Sequence, residues 1–134
     1  MQKLEHIGIA VKDLAEANTR FARLLGKVHY KVEEVESEGV RTSFFEIGGV
    51  KIELLEATNP NSPIARFIEK RGEGLHHLAF EVNDIATSLQ RCMDQGFEPI
   101  NSTPKDGADN KLICFLHPRT TSGVLVELCQ DKGN

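Results

Sequence analysis

Residues 4–11 alternate in character, with Leu4, His6, Gly8 and Ala10 on one side of an extended segment and Ile7, Ile9 and Val11 on the other. A two-residue period is that of a β-strand. The branched side predicts packing against helices, and the small residues beside His6 predict room for a cleft. The period then lengthens. Asp13 is placed to cap a helix running through Leu24, with Glu16 three positions later making a capping-box-like pair, Leu14, Ala17, Phe21 and Leu24 as its apolar stripe, and Gly26 as its end. Strands are expected near 27–34, 40–47 and 50–56, the last two joined by a tight Gly48-Gly49 hairpin. After a connector the order returns: a strand at 75–82, then a helix over 84–95 with Ile85, Leu89, Cys92 and Met93 apolar and Gly96 beyond it. Strands near 97–102, 111–117 and 123–130 follow. Each half reads strand, helix and three strands. In the connector, Ser62 is a helix cap and Pro63 a first helical residue, starting a short helix that carries Ile64, Phe67 and Ile68 toward Gly72.

The halves are copies at the level of residues. LEHIGIAV at 4–11 returns as LHHLAFEV at 75–82, and VKIELLE at 50–56 returns as VLVELCQ at 124–130. His6 thereby matches His77 and Glu53 matches Glu127, at spacings of 71 and 74 residues (77 − 6 and 127 − 53). A single histidine on an apolar strand is ordinarily a hydrogen-bonded core residue. A carboxylate inside an apolar strand is costly unless it has a partner. Finding both oddities twice, at nearly the same offset, is not explained by solvent exposure. Strand alternation puts Glu53 opposite Val50, Ile52 and Leu54, and Glu127 opposite Val124, Val126 and Leu128, so both carboxylates leave the helix-packing face. Two modules packed about a pseudo-two-fold axis would bring equivalent strand positions together. Two imidazoles and two carboxylates are a donor set that divalent transition metals accept.

Composition narrows the classes. A chain of 134 residues is large enough to bury one core without staples, and its three cysteines, Cys92, Cys114 and Cys129, form an odd set with no C-x-x-C spacing. They read as buried, reduced thiols in a cytoplasmic protein. The start MQKLEHIGIAV lacks the pattern of a secretory signal, and no stretch approaches membrane-spanning length, so a soluble protein without membrane attachment is expected. A net charge of −4 argues against a nucleic-acid surface, which would cluster Lys and Arg against phosphates.

These residues resemble the vicinal oxygen chelate superfamily (glyoxalase, bleomycin resistance protein, dioxygenase), whose members build one site from paired βαβββ modules. The stretches SPIARFIEKRGEGLHHLAFEV and FLHPRTTSGVLVELCQ look most like its methylmalonyl-CoA epimerase branch, with a likeness spanning residues 4 to about 130. The resemblance implies an α+β fold of two tandem modules, about 1–58 and 73–130, forming a curved mixed sheet around a metal cleft in a single domain, with the helical connector at 59–72. It implies His6, Glu53, His77 and Glu127 as metal ligands, cobalt as the favoured ion with nickel, manganese or zinc as substitutes, a CoA thioester as substrate, and a homodimer. Methylmalonyl-CoA carries an acidic C–H between a carboxylate and a thioester carbonyl, so epimerisation needs a carboxylate base within reach of that proton and charge stabilisation for the resulting oxyanion. Glu127 and Glu53 are the expected bases. Some similar epimerases have a non-ligand Glu where this chain has Thr42, which is too weak a base to replace it. The CoA tail calls for cations, for which Lys105, Lys111 and Arg119 are expected, and residues 107–111 are expected to supply backbone donors. The ligand set His, Glu, His, Glu also matches glyoxalase I, a lactoylglutathione lyase, which stands as the alternative beside a non-catalytic, metal-free binding protein of the same fold. Three-ligand iron chemistry fits less well, because a fourth ligand at Glu53 would take a position that substrate and oxygen need. His76 faces away from His77 and reads as a packed or surface residue.

Overall fold

The computed structural model describes residues 1–133. Its elements run β1 (Lys3–Ala10), α1 (Leu14–Leu25), β2 (Lys31–Val35), β3 (Val40–Ile47), β4 (Val50–Ala57), α2 (Pro63–Arg71), β5 (Gly74–Glu81), α3 (Ile85–Asp94), β6 (Lys105–Gly107), β7 (Lys111–Leu116) and β8 (Val126–Asp131). The order is βαβββ twice, with α2 between the copies, as the periodicities predict. By internal packing the chain divides into two compact units, residues 7–76 and residues 1–6 with 77–134. The first six residues therefore pack with the second half of the sequence.

In the 7–76 unit β2, β3 and β4 form antiparallel pairs, with Gly48 and Gly49 turning the β3–β4 hairpin in left-handed conformations that match its twist. Asp13 caps α1 by accepting a hydrogen bond from Glu16 N at 3.0 Å, and Gly26 closes it at φ 74°. Helix α1 lays Leu14, Ala17, Phe21 and Leu25 on Val11, Phe45 and Leu54. Leu24, expected in that stripe, is 72% exposed. Leu25 lies eleven residues from Leu14, close to three full turns, whereas Leu24 falls about 80° away from that line. Helix α2 is capped by Ser62 Oγ, which accepts from Ala65 N at 3.1 Å, and packs Ile64, Phe67 and Ile68 on Ala10, Val40 and Leu55. Ala10, expected to leave open space, is fully buried under this cluster.

In the other unit β5 and β8 run parallel, while β8–β7 and β7–β6 are antiparallel. Asp84 caps α3 by accepting from Thr87 N, and Ile85, Leu89 and Cys92 pack on Cys114, Leu116 and Leu128. Met93 stays 38% exposed, off the stripe. The strand expected near 97–102 does not form. Pro99 lacks an N–H and makes only a single bridge to Leu116, flanked by Ile100 N to Phe115 O and His117 N to Glu98 O. After Pro104 the chain returns to the same edge as β6, so two short pieces cover β7 where one strand was expected. The strand expected from 27 begins at Lys31, and the one expected from 123 begins at Val126, following the one-turn 3-10 helix at Pro118–Thr120. Cys92, Cys114 and Cys129 are all buried free thiols.

Candidate metal centre

Strand alternation gives β8 two faces. Leu128 turns to α3, while Glu127 turns the other way, between Ala79 of β5 and Phe115 of β7 in register. His77 enters two residues before Ala79 on β5, and His6 comes from the portion of β1 that belongs to this unit. The three side chains meet. His6 Nε2 is 3.0 Å from His77 Nε2, His77 Nε2 is 3.1 Å from Glu127 Oε1, and His6 Nε2 is 3.6 Å from the same oxygen. All three residues are buried, and the two imidazoles cross edge-on at 86°. The His77 ring also stands edge-on to Phe115, with centroids 5.7 Å apart.

Those spacings suit a shared cation. Two donors bound at about 2.1 Å lie about 3.0 Å apart at a right angle and about 3.4 Å apart at the tetrahedral angle. Contacts of 3.0, 3.1 and 3.6 Å fall around that range, and two imidazole nitrogens with one carboxylate oxygen are ordinary ligands for zinc, cobalt or nickel. Burial by itself would raise the Glu127 carboxyl, but the influence of the adjacent His6 and His77 imidazoles outweighs it and holds the group well below the usual carboxylate range. The carboxylate is thus kept ionised, the form a metal ion would need.

Glu53 lies in the 7–76 unit, on β4, 4% exposed and directly across from Phe44 of β3. That is the counterpart of Glu127 facing Phe115, so the repeat extends to the aromatic neighbour of each carboxylate. Thr42 is fully enclosed on the same face of β3, opposite Leu55 and Glu33.

The cations expected to hold a CoA tail are spread out. Lys111 opens β7, is buried, and has its Nζ 3.8 Å from Asp131. Arg119 lies beyond the other end of that strand, about 20 Å of extended chain away. It is bonded to Glu98, whose carboxyl is lowered by that hydrogen bond while the guanidinium is raised. Lys105 begins β6 across from Ile113. Residues 108–110 turn the β6–β7 hairpin, with Asp109 and Asn110 in left-handed backbone conformations and Asn110 Nδ2 donating to Gly133 O. His76 packs edge-on against Phe67 in the 7–76 unit, and His117 caps the 3-10 turn by accepting from Arg119 N.

One residue of the centre was not anticipated. Glu5 is 3% exposed, and its Oε1 lies 2.6 Å from His6 Nδ1. Its signal was present, since a carboxylate shares the face of Ile7 and Ile9, where burial demands a partner. Among the described residues the donor groups close enough for an ion are His6, His77 and Glu127, and Glu5, His6 and Cys129. In the second group the 2.6 Å contact is too short for two ligands of one ion and is a hydrogen bond.

Residues 5–115 match the sequence profile of the Glyoxalase/Bleomycin resistance protein/Dioxygenase superfamily. An ethylmalonyl-CoA/methylmalonyl-CoA epimerase of Cereibacter sphaeroides is 38% identical, with 96% of this chain and 97% of the relative aligned. The mitochondrial methylmalonyl-CoA epimerase of Homo sapiens is 35% identical over 96% of this chain and 73% of its own length. A variant of Streptomyces coelicolor methylmalonyl-CoA epimerase, solved in complex with 2-nitronate-propionyl-CoA, superposes with a TM-score of 0.94 at 31% identity, covering 99% of this chain and 96% of that one.

Proposed function

Since the chain belongs to the Glyoxalase/Bleomycin resistance protein/Dioxygenase superfamily, with relatives named as epimerases along nearly its whole length, we propose that it interconverts the (2R) and (2S) forms of methylmalonyl-CoA. The observation that carries this reading is the buried meeting of His6, His77 and Glu127 at cation spacing, built from strand positions that the sequence repeats. Glu53 is the fourth ligand in this reading, on the strength of its match to Glu127. A divalent ion held by these residues, cobalt first and nickel, manganese or zinc after it, would supply positive charge beside the oxygen on which negative charge collects.

The chain's own carboxylates do the proton work. The substrate C–H bond breaks as a carboxylate oxygen takes the proton, and the electron pair spreads onto the thioester oxygen. Return of a proton to the opposite face inverts the carbon. Glu53 and Glu127 are the proposed pair of bases, because Thr42 cannot take that role and a reaction that runs both ways at one carbon needs a group on each side. Phe115 and the buried setting of the three donors keep water from competing for them. Lys105, Lys111 and Arg119 are the proposed contacts of the CoA phosphates, Lys111 only by giving up Asp131 and Arg119 by giving up Glu98. We read residues 1–134 as a single domain acting as a cytoplasmic homodimer. Among the described residues no helix is long and apolar enough to cross a membrane.

The test is deuterium exchange at the α-carbon of methylmalonyl-CoA, followed by NMR in heavy water on metal-stripped protein before and after cobalt is added. A parallel assay offers the hemithioacetal of methylglyoxal and glutathione. Cobalt-dependent exchange with inversion is expected. Turnover of the hemithioacetal without exchange would instead assign lactoylglutathione lyase chemistry to the same residues, and silence in both assays would sink the enzymatic reading.

A further inference from the structure

We infer that Glu5 is the positioning residue of the centre: its carboxylate fixes His6 in the Nδ1–H tautomer and so presents Nε2 as the ligating atom. The inference rests on the metal-centre reading above. Glu5 Oε1 and His6 Nδ1 are 2.6 Å apart, both residues are buried, and both belong to the 1–6 and 77–134 unit. An ionised carboxylate only accepts hydrogen bonds, and on that footing the proton between these two atoms is assigned to the imidazole. The other nitrogen, Nε2, then carries a lone pair, and it is Nε2 that faces His77 Nε2 and Glu127. A carboxylate behind a metal-binding histidine both orients the ring and makes its free nitrogen a better donor.

Sequence and geometry add two supports. The copy of Glu5 in the second half is His76, so the repeat breaks at this position while the histidine beside it is kept. His76 has a different task, edge-on against Phe67. The two histidines of the centre are therefore supported differently, and the His6 side has the carboxylate. The alternative of a second ion held by Glu5, His6 and Cys129 fails on distance, because two ligands of one ion would sit about 3.0 Å or more apart.

The experiment pairs Glu5→Gln, which keeps shape and removes charge, with Glu5→Ala, which removes the acceptor. Long-range 15N–1H NMR of the metal-free proteins reads the tautomer of His6, and chelator competition followed by the cobalt d–d spectrum reads affinity. The native protein should show His6 protonated at Nδ1. Glu5→Ala should move His6 toward the Nε2–H form and weaken cobalt binding by about 10- to 100-fold, with Glu5→Gln between the two and the circular dichroism of both native-like. If His6 keeps its Nδ1–H form in both variants, or if both bind cobalt as tightly as the native protein, the positioning role is refuted. The tautomer is read without metal, so it tests Glu5 even if native protein fails to bind cobalt, an outcome that would count against the metal centre instead. A variant that unfolded would leave the native tautomer as the deciding measurement, and an Nε2–H form there overturns the inference.

Discussion

Glu127 and Glu53 are matched by sequence, yet their surroundings assign them different weights. Glu127 lies against two imidazoles that hold it ionised well below the usual carboxylate range, so it suits ligation. We expect Glu127→Gln to lower cobalt affinity by at least tenfold and to slow α-proton exchange with it. Glu53→Gln should slow exchange by about 100-fold or more, the usual size of a lost general base, while cobalt affinity falls far less. Isothermal titration with cobalt alongside the exchange assay separates the two outcomes, and a near-native rate for Glu53→Gln would remove the paired carboxylates from the proton transfer. The thiols give a simpler test. Burial raises both Cys92 and Cys114 above the ordinary thiol value, so near neutral pH each is held as the unreactive thiol. Iodoacetamide should label them at least tenfold more slowly in native protein than in urea, and faster as pH rises toward their raised values. At this scale the meeting of His6, His77 and Glu127 was legible because those positions repeat, while Glu53 is joined to them by the repeat alone. For Glu5 the need for a partner was legible from its apolar face but the partner was not, because it is the side chain next to it and no period reports such a contact.

Elements were legible where a cap, a glycine or a long period marked them. Asp13 and Ser62 cap their helices as expected, Asp84 caps α3 where the helix itself was expected to start, and the Gly48-Gly49 hairpin sits between the strands predicted for it. The errors have physical causes. Leu24 and Leu25 are adjacent and equally apolar, so only the 3.6-residue turn decides which is buried. The strand after α3 was placed too early because it was matched to the order of the first half, whereas Pro99 interrupts the hydrogen bonding there and the pairing resumes at Lys105. Gly39 supplies a test at this scale. It sits at φ +62° against the start of α2, where an added Cβ would come within 2.7 Å of Ser62 Cβ. Gly39→Ala should therefore cost about 2 kcal/mol through backbone strain and displacement of the α2 cap. For a chain of this length the melting temperature should drop by roughly 7 °C, measured by circular dichroism. A loss below 1 °C would show that α2 can shift without penalty.

The duplication runs deeper than the motifs that first reveal it. Leu14 N donates to Glu56 and Ile85 N donates to Gln130, so the first amide of each βαβββ helix is held by the same position of its copy. Val11 N to Leu55 O and Val82 N to Cys129 O, both 2.9 Å, repeat the link between the end of each copy's first strand and its last. This agreement made the architecture legible from sequence, while the packing of residues 1–6 with the second half was not, because no local period encodes which half a strand's first residues join. That division has a thermodynamic consequence. His6, His77 and Glu127 are separated along the chain by 71 and 50 residues (77 − 6 and 127 − 77), so an ion bound to all three closes two long loops and ties the first strand to the last. A ligand that binds only the folded form stabilises it by about 2.7 kcal/mol at a free concentration 100 times its dissociation constant. The melting temperature should then rise by roughly 10 °C when cobalt is added to stripped protein and fall back with a chelator. His77→Ala should lose most of that rise while keeping its own metal-free fold, because of the three donors that meet in the structure only His6 and Glu127 would remain. If native protein melts at the same temperature with and without cobalt, zinc or nickel, the three donors do not form an ion site, and their closeness has to be explained by hydrogen bonding among themselves.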